Sequence, residues 1–308
     1  MQAPDDLTDW SLHCFCLGAR VTPHAEVRAH GRLLLAALPG VPVRSVAHSD
    51  LARLEATRLL VRTGDSVRPA FPILGPEPTD VLRRRAGAVA LELVEDMRAG
   101  AQAVVDALRD EGFGAHGQAI LFGHVLDGLA WNAVRVKADL PETTLTAERP
   151  DWNGLFWASY PKADYAGGTN ELTCGRASLV MVWDEANADA LRAIAAAPQT
   201  EIVLKGVSGS SRRTELLGAE LPVVGATAGL WIEDQCARLA EIIADRMAGE
   251  TDLLARLADF DVHLTKAELN VIFGHEMIWA TAKAMIASGL FTPPPAGAVG
   301  PAMFVRLE

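Results

Sequence analysis

His124 and Asp127, and far downstream His275 and Glu276, come nearest in type and spacing to a metal or acid–base centre. Two imidazoles with carboxylates form a workable set for a divalent cation, and residues three apart, such as His124 and Asp127, share one face of an α-helix. The two stretches echo each other: Phe122-Gly123-His124 and Phe273-Gly274-His275 are each followed by apolar residues and a tryptophan. Packed together, two such helices would approach closely at their glycines and bring the histidines into contact. His275-Glu276 opens like a zinc-protease helix, but that motif needs a second histidine at 279, where the chain has Trp279. These four residues define an alternative reading, a metal-dependent hydrolase-like enzyme; a histidine on an apolar helix is otherwise an ordinary core residue. No residue is assigned a catalytic role and no cofactor is named.

Other motifs carry less. Lys205-Gly-Val-Ser-Gly-Ser-Ser-Arg212-Arg213 offers amides and arginines to an anion but lacks the GxxxxGK[ST] order of a nucleotide loop. Tyr165-Ala-Gly-Gly-Thr169-Asn170-Glu171 reads as a glycine turn. There is no GxSxG, and no GxGxxG after a strand, so neither an α/β-hydrolase nor a dinucleotide enzyme is indicated. Cys14, Cys16, Cys174 and Cys236 form no CxxC pair and read as reduced and partly buried.

At 308 residues, half of them apolar, the chain can bury a sizeable core as one large domain or two ordinary ones. No apolar run is long enough for a membrane span, and the start MQAPDDLTDW is acidic where a secretory signal would be basic. The expected location is the cytoplasm, and the Ala, Arg, Leu and Gly richness fits a GC-rich bacterial genome. The net charge of −11 opposes binding to phosphate, yet local fields outweigh the sum. Between Arg20 and Arg68 eight arginines (20, 28, 32, 44, 53, 58, 62 and 68) face four acids, Glu26, Asp50, Glu55 and Asp65.

The elements that would position those arginines follow from periodicity. Thr22-Pro23 starts a helix over 23–38 that Pro39-Gly40 ends. A short element spans 41–47. Leu51, Leu54 and Leu59 then predict a helix over 50–60, and Thr63-Gly64-Asp65-Ser66 turns a hairpin between apolar strands. Over about residues 22–75 this pattern resembles the winged-helix superfamily, to which many bacterial transcription regulators belong. The resemblance implies that the third helix enters the major groove of double-stranded DNA. Arg53 and Arg58 would then act from that helix, while Arg62 and Arg68 flank the wing tip and reach phosphate or the minor groove. A winged helix that contacts protein and never DNA is the other use of the same unit.

Beyond it, Pro76-Glu77-Pro78-Thr79 reads as a stop, and a long helix is predicted over 81–111, a connector or half of a dimer seam. Further helices are expected over 118–136, 187–197, 230–247 and 252–260, with another opened by the Thr265–Glu268 capping box. Strands are expected over 154–160, 177–183, 201–204 and 221–224, with residues 302–307 as an edge strand. Trp131, Trp152, Trp157, Tyr160, Tyr165 and Trp183 concentrate in the middle and suit a pocket for a flat or apolar ligand, though ordinary core would use them too. The predicted fold is α+β: a winged-helix domain over 1–78, then, over 79–308, the long connector helix and a mixed α/β domain rich in helices. The predicted function is a homodimeric DNA-binding regulator whose C-terminal domain senses a small effector or partner.

Overall fold

The computed structural model describes residues 3–16, 18–165, 167–225, 230–248, 250 and 252–307, with the side chains of Leu230 and Trp231 left aside. It is mixed α and β and divides into two compact units. The first comprises residues 1–85, 139–164 and 250–274, and the second the remainder. A cut after residue 78 therefore does not describe the first unit, which is assembled from three segments. A strand pairing ties in the 139–164 segment: β6 (Leu155–Ser159) lies between β1 (Ser11–Phe15) and β5 (Ile73–Leu74), antiparallel to the former and parallel to the latter.

Within the first unit the predicted helix over 23–38 is broken into α1 (His24–Ala29) and α2 (Gly31–Ala36). His30 leaves helical geometry, and Gly31 lies so close to Asp6 and Leu7 that a Cβ there would collide with the Asp6 carboxylate. β2 (Val41–Pro42) follows, then α3 (His48–Ala56), which buries Leu51 and Leu54. The chain leaves α3 by a left-handed cap: Arg58 N–H donates to Glu55 O, Leu59 N–H to Leu54 O, and Arg58 takes φ +56°. β3 (Leu60–Thr63) and β4 (Ser66–Pro69) then form an antiparallel hairpin about Gly64, at φ +61°. β2 pairs with β4, giving the order β2-β4-β3. Val27, Leu34, Leu51, Leu54, Leu59, Val67 and Phe156 join one buried cluster, so the hairpin and the helices share a core.

α4 (Pro76–Asp110) begins five residues earlier than its apolar period predicts. Pro76 and Pro78 sit in its first turn, where the missing N–H groups cost no helical bond. In the second unit the helix expected over 118–136 becomes a π-helical segment, Ala119–Leu129, continued by α5 (Ala130–Lys137). This packs on a five-stranded sheet of order β7-β8-β11-β10-β9. The strands are β7 (Gly167–Cys174), β8 (Ala177–Asp184), β9 (Arg213–Leu216), β10 (Ala219–Gly225) and β11 (Met303–Leu307). Alternation sorts their side chains: Leu179, Met181, Met303 and Val305 join Leu191 of α6 (Ala188–Ala196) and Leu204 of α7 (Pro198–Gly206). Val182 and Phe304 face the π-helical segment, where a Cβ on Gly123 would overlap Val182.

Three sequence expectations change here. Residues 201–204 are helical in α7, started by Pro198 at its N-terminus. Residues 167–171 open β7; a Cβ on Gly167 would collide with Trp183 O, and Gly168 lies close against the Trp183 indole. The tail strand β11 is central, pairing with β8 and β10; its near-continuous apolar run buries both faces. α8 (Leu230–Ala248) packs on α5 and the π-helical segment, and α9 (Leu253–Ala258) and α10 (Lys266–Ala287) follow. The Thr265–Glu268 capping box that opens α10 is formed in both directions. Cys14 and Cys16 are paired as a disulfide, against the expected reduced pair; Cys174 and Cys236 are free. No helix among the described residues is long and apolar enough to cross a membrane.

Candidate functional site

The four arginines of the helix–hairpin region occupy four different situations. Arg53 is on α3, but its guanidinium pairs with Glu26 of α1. Arg58 lies beyond the helix end, and Nη2 donates to Glu148 O at 2.9 Å, so the left-handed cap turns its side chain toward residues 141–154. Arg62 donates twice to Glu55, from Nε at 3.0 Å and Nη2 at 3.3 Å. Arg68 is exposed and, among the described residues, is paired with no carboxylate. The hairpin register pairs Arg62 with Val67 and Val61 with Arg68; directly opposed residues share a face, so Arg62 and Arg68 stand on opposite faces of the hairpin. Arg44, in the 3-10 turn Val43–Ser45 ahead of α3, is also exposed. Among the described residues Arg20, Arg28, Arg44 and Arg68 form no ion pair.

The six aromatic residues do not line one pocket. Trp152, Trp157 and Tyr160 belong to the first unit, Trp131, Tyr165 and Trp183 to the second. Trp157 is 1% exposed and stacks on His13 at 4.9 Å in the core, and Tyr160, partly buried, leans on Trp10 at 5.5 Å. Tyr165 stacks on Trp279 at 4.5 Å, and Trp183 lies along Gly168. Trp131 donates its indole N–H to Asp127 at 3.2 Å. Of the six, only Trp152 borders the open cleft of the first unit, its Nε1 donating to Thr57 O at 3.2 Å.

The metal set also separates. A π-turn is wider than an α-turn, so residues three apart no longer stack on one face. His124, 1% exposed, meets Glu233 of α8 through Nε2 at 3.0 Å. Asp127 faces Thr169 of β7 and accepts from Trp131; burial raises its carboxyl to about 6, and the polar groups of Thr169 and Trp131 hold it from rising further. His275 Nε2 accepts from Trp279 Nε1 at 3.3 Å, and Glu276 is buried on the same helix. Gly123 makes its close approach to the sheet. Among the described residues no three His, Cys, Asp or Glu side chains are grouped to hold a metal ion. The arginines of the candidate anion loop are engaged as well, Arg212 with Glu111 and Arg213 with Glu111 and Glu220.

Sequence spacing missed three participants. Glu233 lies 109 residues from His124, Thr169 far from Asp127, and residues 141–154 carried no motif although they wall the cleft beside Arg58. Only the three-dimensional pairing reveals them. No family model, curated protein or solved structure matches the chain.

Proposed function

We propose that this chain is a winged-helix DNA-binding regulator, acting as a homodimer whose DNA affinity responds to a small effector. One observation carries the reading: α3 leads directly into the β3–β4 hairpin, and β2, from before the helix, joins that hairpin through β4. A helix and a wing held to one core by a third strand present two elements to a duplex in fixed relation. The exposed Arg44 and Arg68 then provide the phosphate contacts, with Arg58 directed to the cleft. Arg53 and Arg62 enter only by giving up Glu26 and Glu55.

That internal neutralisation favours a second reading, in which the same unit docks a protein through the exposed Val61 and its surroundings. Fluorescence anisotropy with a mixed-sequence duplex over a salt series separates them. The DNA reading requires binding that weakens steadily with salt, followed by enrichment of particular genomic fragments. Absence of binding at low salt refutes it and leaves the docking reading.

A further inference from the structure

The first unit contains an open cleft of about 640 Å³ where the end of α3 and the start of β3 meet residues 148–156. It shares Arg58, Glu148, Arg149 and Gly154 with an adjoining hollow of about 520 Å³. Its apolar side is aromatic: Phe71 and Phe156 meet edge to face at 5.2 Å, and Trp152 is pinned by its hydrogen bond to Thr57.

Three arginines line this space; Arg62 is paired with Glu55, whereas Arg58 and Arg149 hydrogen-bond to neutral oxygens. Arg58 Nη2 donates to Glu148 O, and Arg149 Nη1 donates to Asn153 Oδ1 at 2.6 Å. Asn153 is itself buried and fixed through Nδ2 to Thr144 O at 2.7 Å, so Arg149 is held in place before any ligand arrives. The carboxylates on the rim are engaged elsewhere, Glu55 with Arg62 and Glu268 with Thr265. The Glu148 carboxyl is held below the usual carboxylate range by its own backbone, by Thr146 and by the charge of Arg58, so an entering anion competes with it for Arg58. A guanidinium has five N–H donors in a fork that matches carboxylate or phosphate, so most of this donor capacity is unspent. Arg58 also occupies a left-handed position that glycine fills without strain, and such an outlier points to a side chain that is used.

We propose that the cleft binds a small organic anion. Its flat apolar body lies on Trp152, backed by the buried Phe71 and Phe156, and its carboxylate or phosphate is held between Arg58 and Arg149. Glu55 at the end of α3 and Leu60 to Arg62 of β3 line the same cleft, so occupancy bears on the elements that would face DNA. That coupling rests on the proposed function, whereas the binding does not.

Isothermal titration of the full chain tests it without DNA, so the two proposals fail separately. The probes are 1-naphthoate, 1-naphthyl phosphate, the neutral 1-naphthylmethanol and the cationic 1-naphthylmethylamine. The expected result is saturable 1:1 binding of at least one anion, with alcohol and amine weaker by about tenfold or more. The better anion identifies the head group. Arg149→Gln and Arg58→Gly should each weaken it by about tenfold, with thermal unfolding showing both variants folded. Equal binding of alcohol or amine, anion binding unchanged in both variants, or no saturable binding of either anion overturns the proposal.

Discussion

Replacing Arg58 by glycine and by alanine tests the cap geometry behind its reassignment. Both changes delete the guanidinium and its bond to Glu148 O, so the difference between the two variants reports the backbone alone. At an ordinary position glycine is worse than alanine by about 0.5–1 kcal/mol, through chain entropy. At φ +56° the order reverses, because an L side chain in left-handed geometry costs roughly 1–2 kcal/mol that glycine avoids. The balance is roughly 0.5–1 kcal/mol in favour of glycine. With a urea slope of about 3 kcal/mol/M, Arg58→Gly should unfold about 0.2–0.3 M later than Arg58→Ala. Urea titration followed by tryptophan fluorescence reads this, provided the two slopes agree. An alanine variant as stable as the glycine variant, or more so, would refute the left-handed cap and the direction it gives the side chain.

Other consequences follow from single positions. Asp127 titrates near 6 when folded and near 3.9 when unfolded, so between those values the folded state binds the extra proton and stability falls as pH rises. Asp127→Asn should flatten that slope between about pH 4 and 6 and be the more stable chain at pH 7, by up to about 3 kcal/mol; urea titrations at several pH values decide it. Leu217 and Gly218 both have positive φ in the two-residue turn between β9 and β10, and Leu217 is 54% exposed. Leu217→Asn should therefore gain about 0.5–1 kcal/mol in thermal unfolding, and a loss would contradict the turn geometry. Gly154 has φ +135°, and a Cβ there would sit 2.0 Å from Phe15 O at the β1–β6 junction. Gly154→Ala should cost at least about 2–3 kcal/mol in urea unfolding, and a neutral effect would contradict that close approach.

Legibility in the sequence followed the range of the forces involved. The Leu51–Leu54 spacing and Gly64 marked α3 and its hairpin, and the long apolar period marked α4, because both signals are local. The break at His30–Gly31 was hidden, since its cause is Asp6 and Leu7, more than twenty residues away. The π-helical geometry of Ala119–Leu129 left the residue types unchanged but turned His124 and Asp127 apart, which undid a face argument founded on 3.6 residues per turn. Arg58 shows the same limit in the candidate site. Its place one turn past Leu54 looked helical, and only the left-handed cap and Glu148, ninety residues on, show where it reaches. Trp152 was identified from composition, whereas Arg149 and Asn153 lack any spacing signal because they act through a fold of the 141–154 segment.

The most direct test of the regulator reading is the salt dependence of duplex binding for wild type, Arg68→Ala and Arg53→Ala. Each phosphate contact removed lowers the slope of log affinity against log salt by about one. Because Arg68 is exposed without a carboxylate partner while Arg53 is held by Glu26, the account predicts a slope reduced by about one in Arg68→Ala and unchanged in Arg53→Ala. A slope that drops in Arg53→Ala and not in Arg68→Ala, or no duplex binding by the wild-type chain, would contradict it.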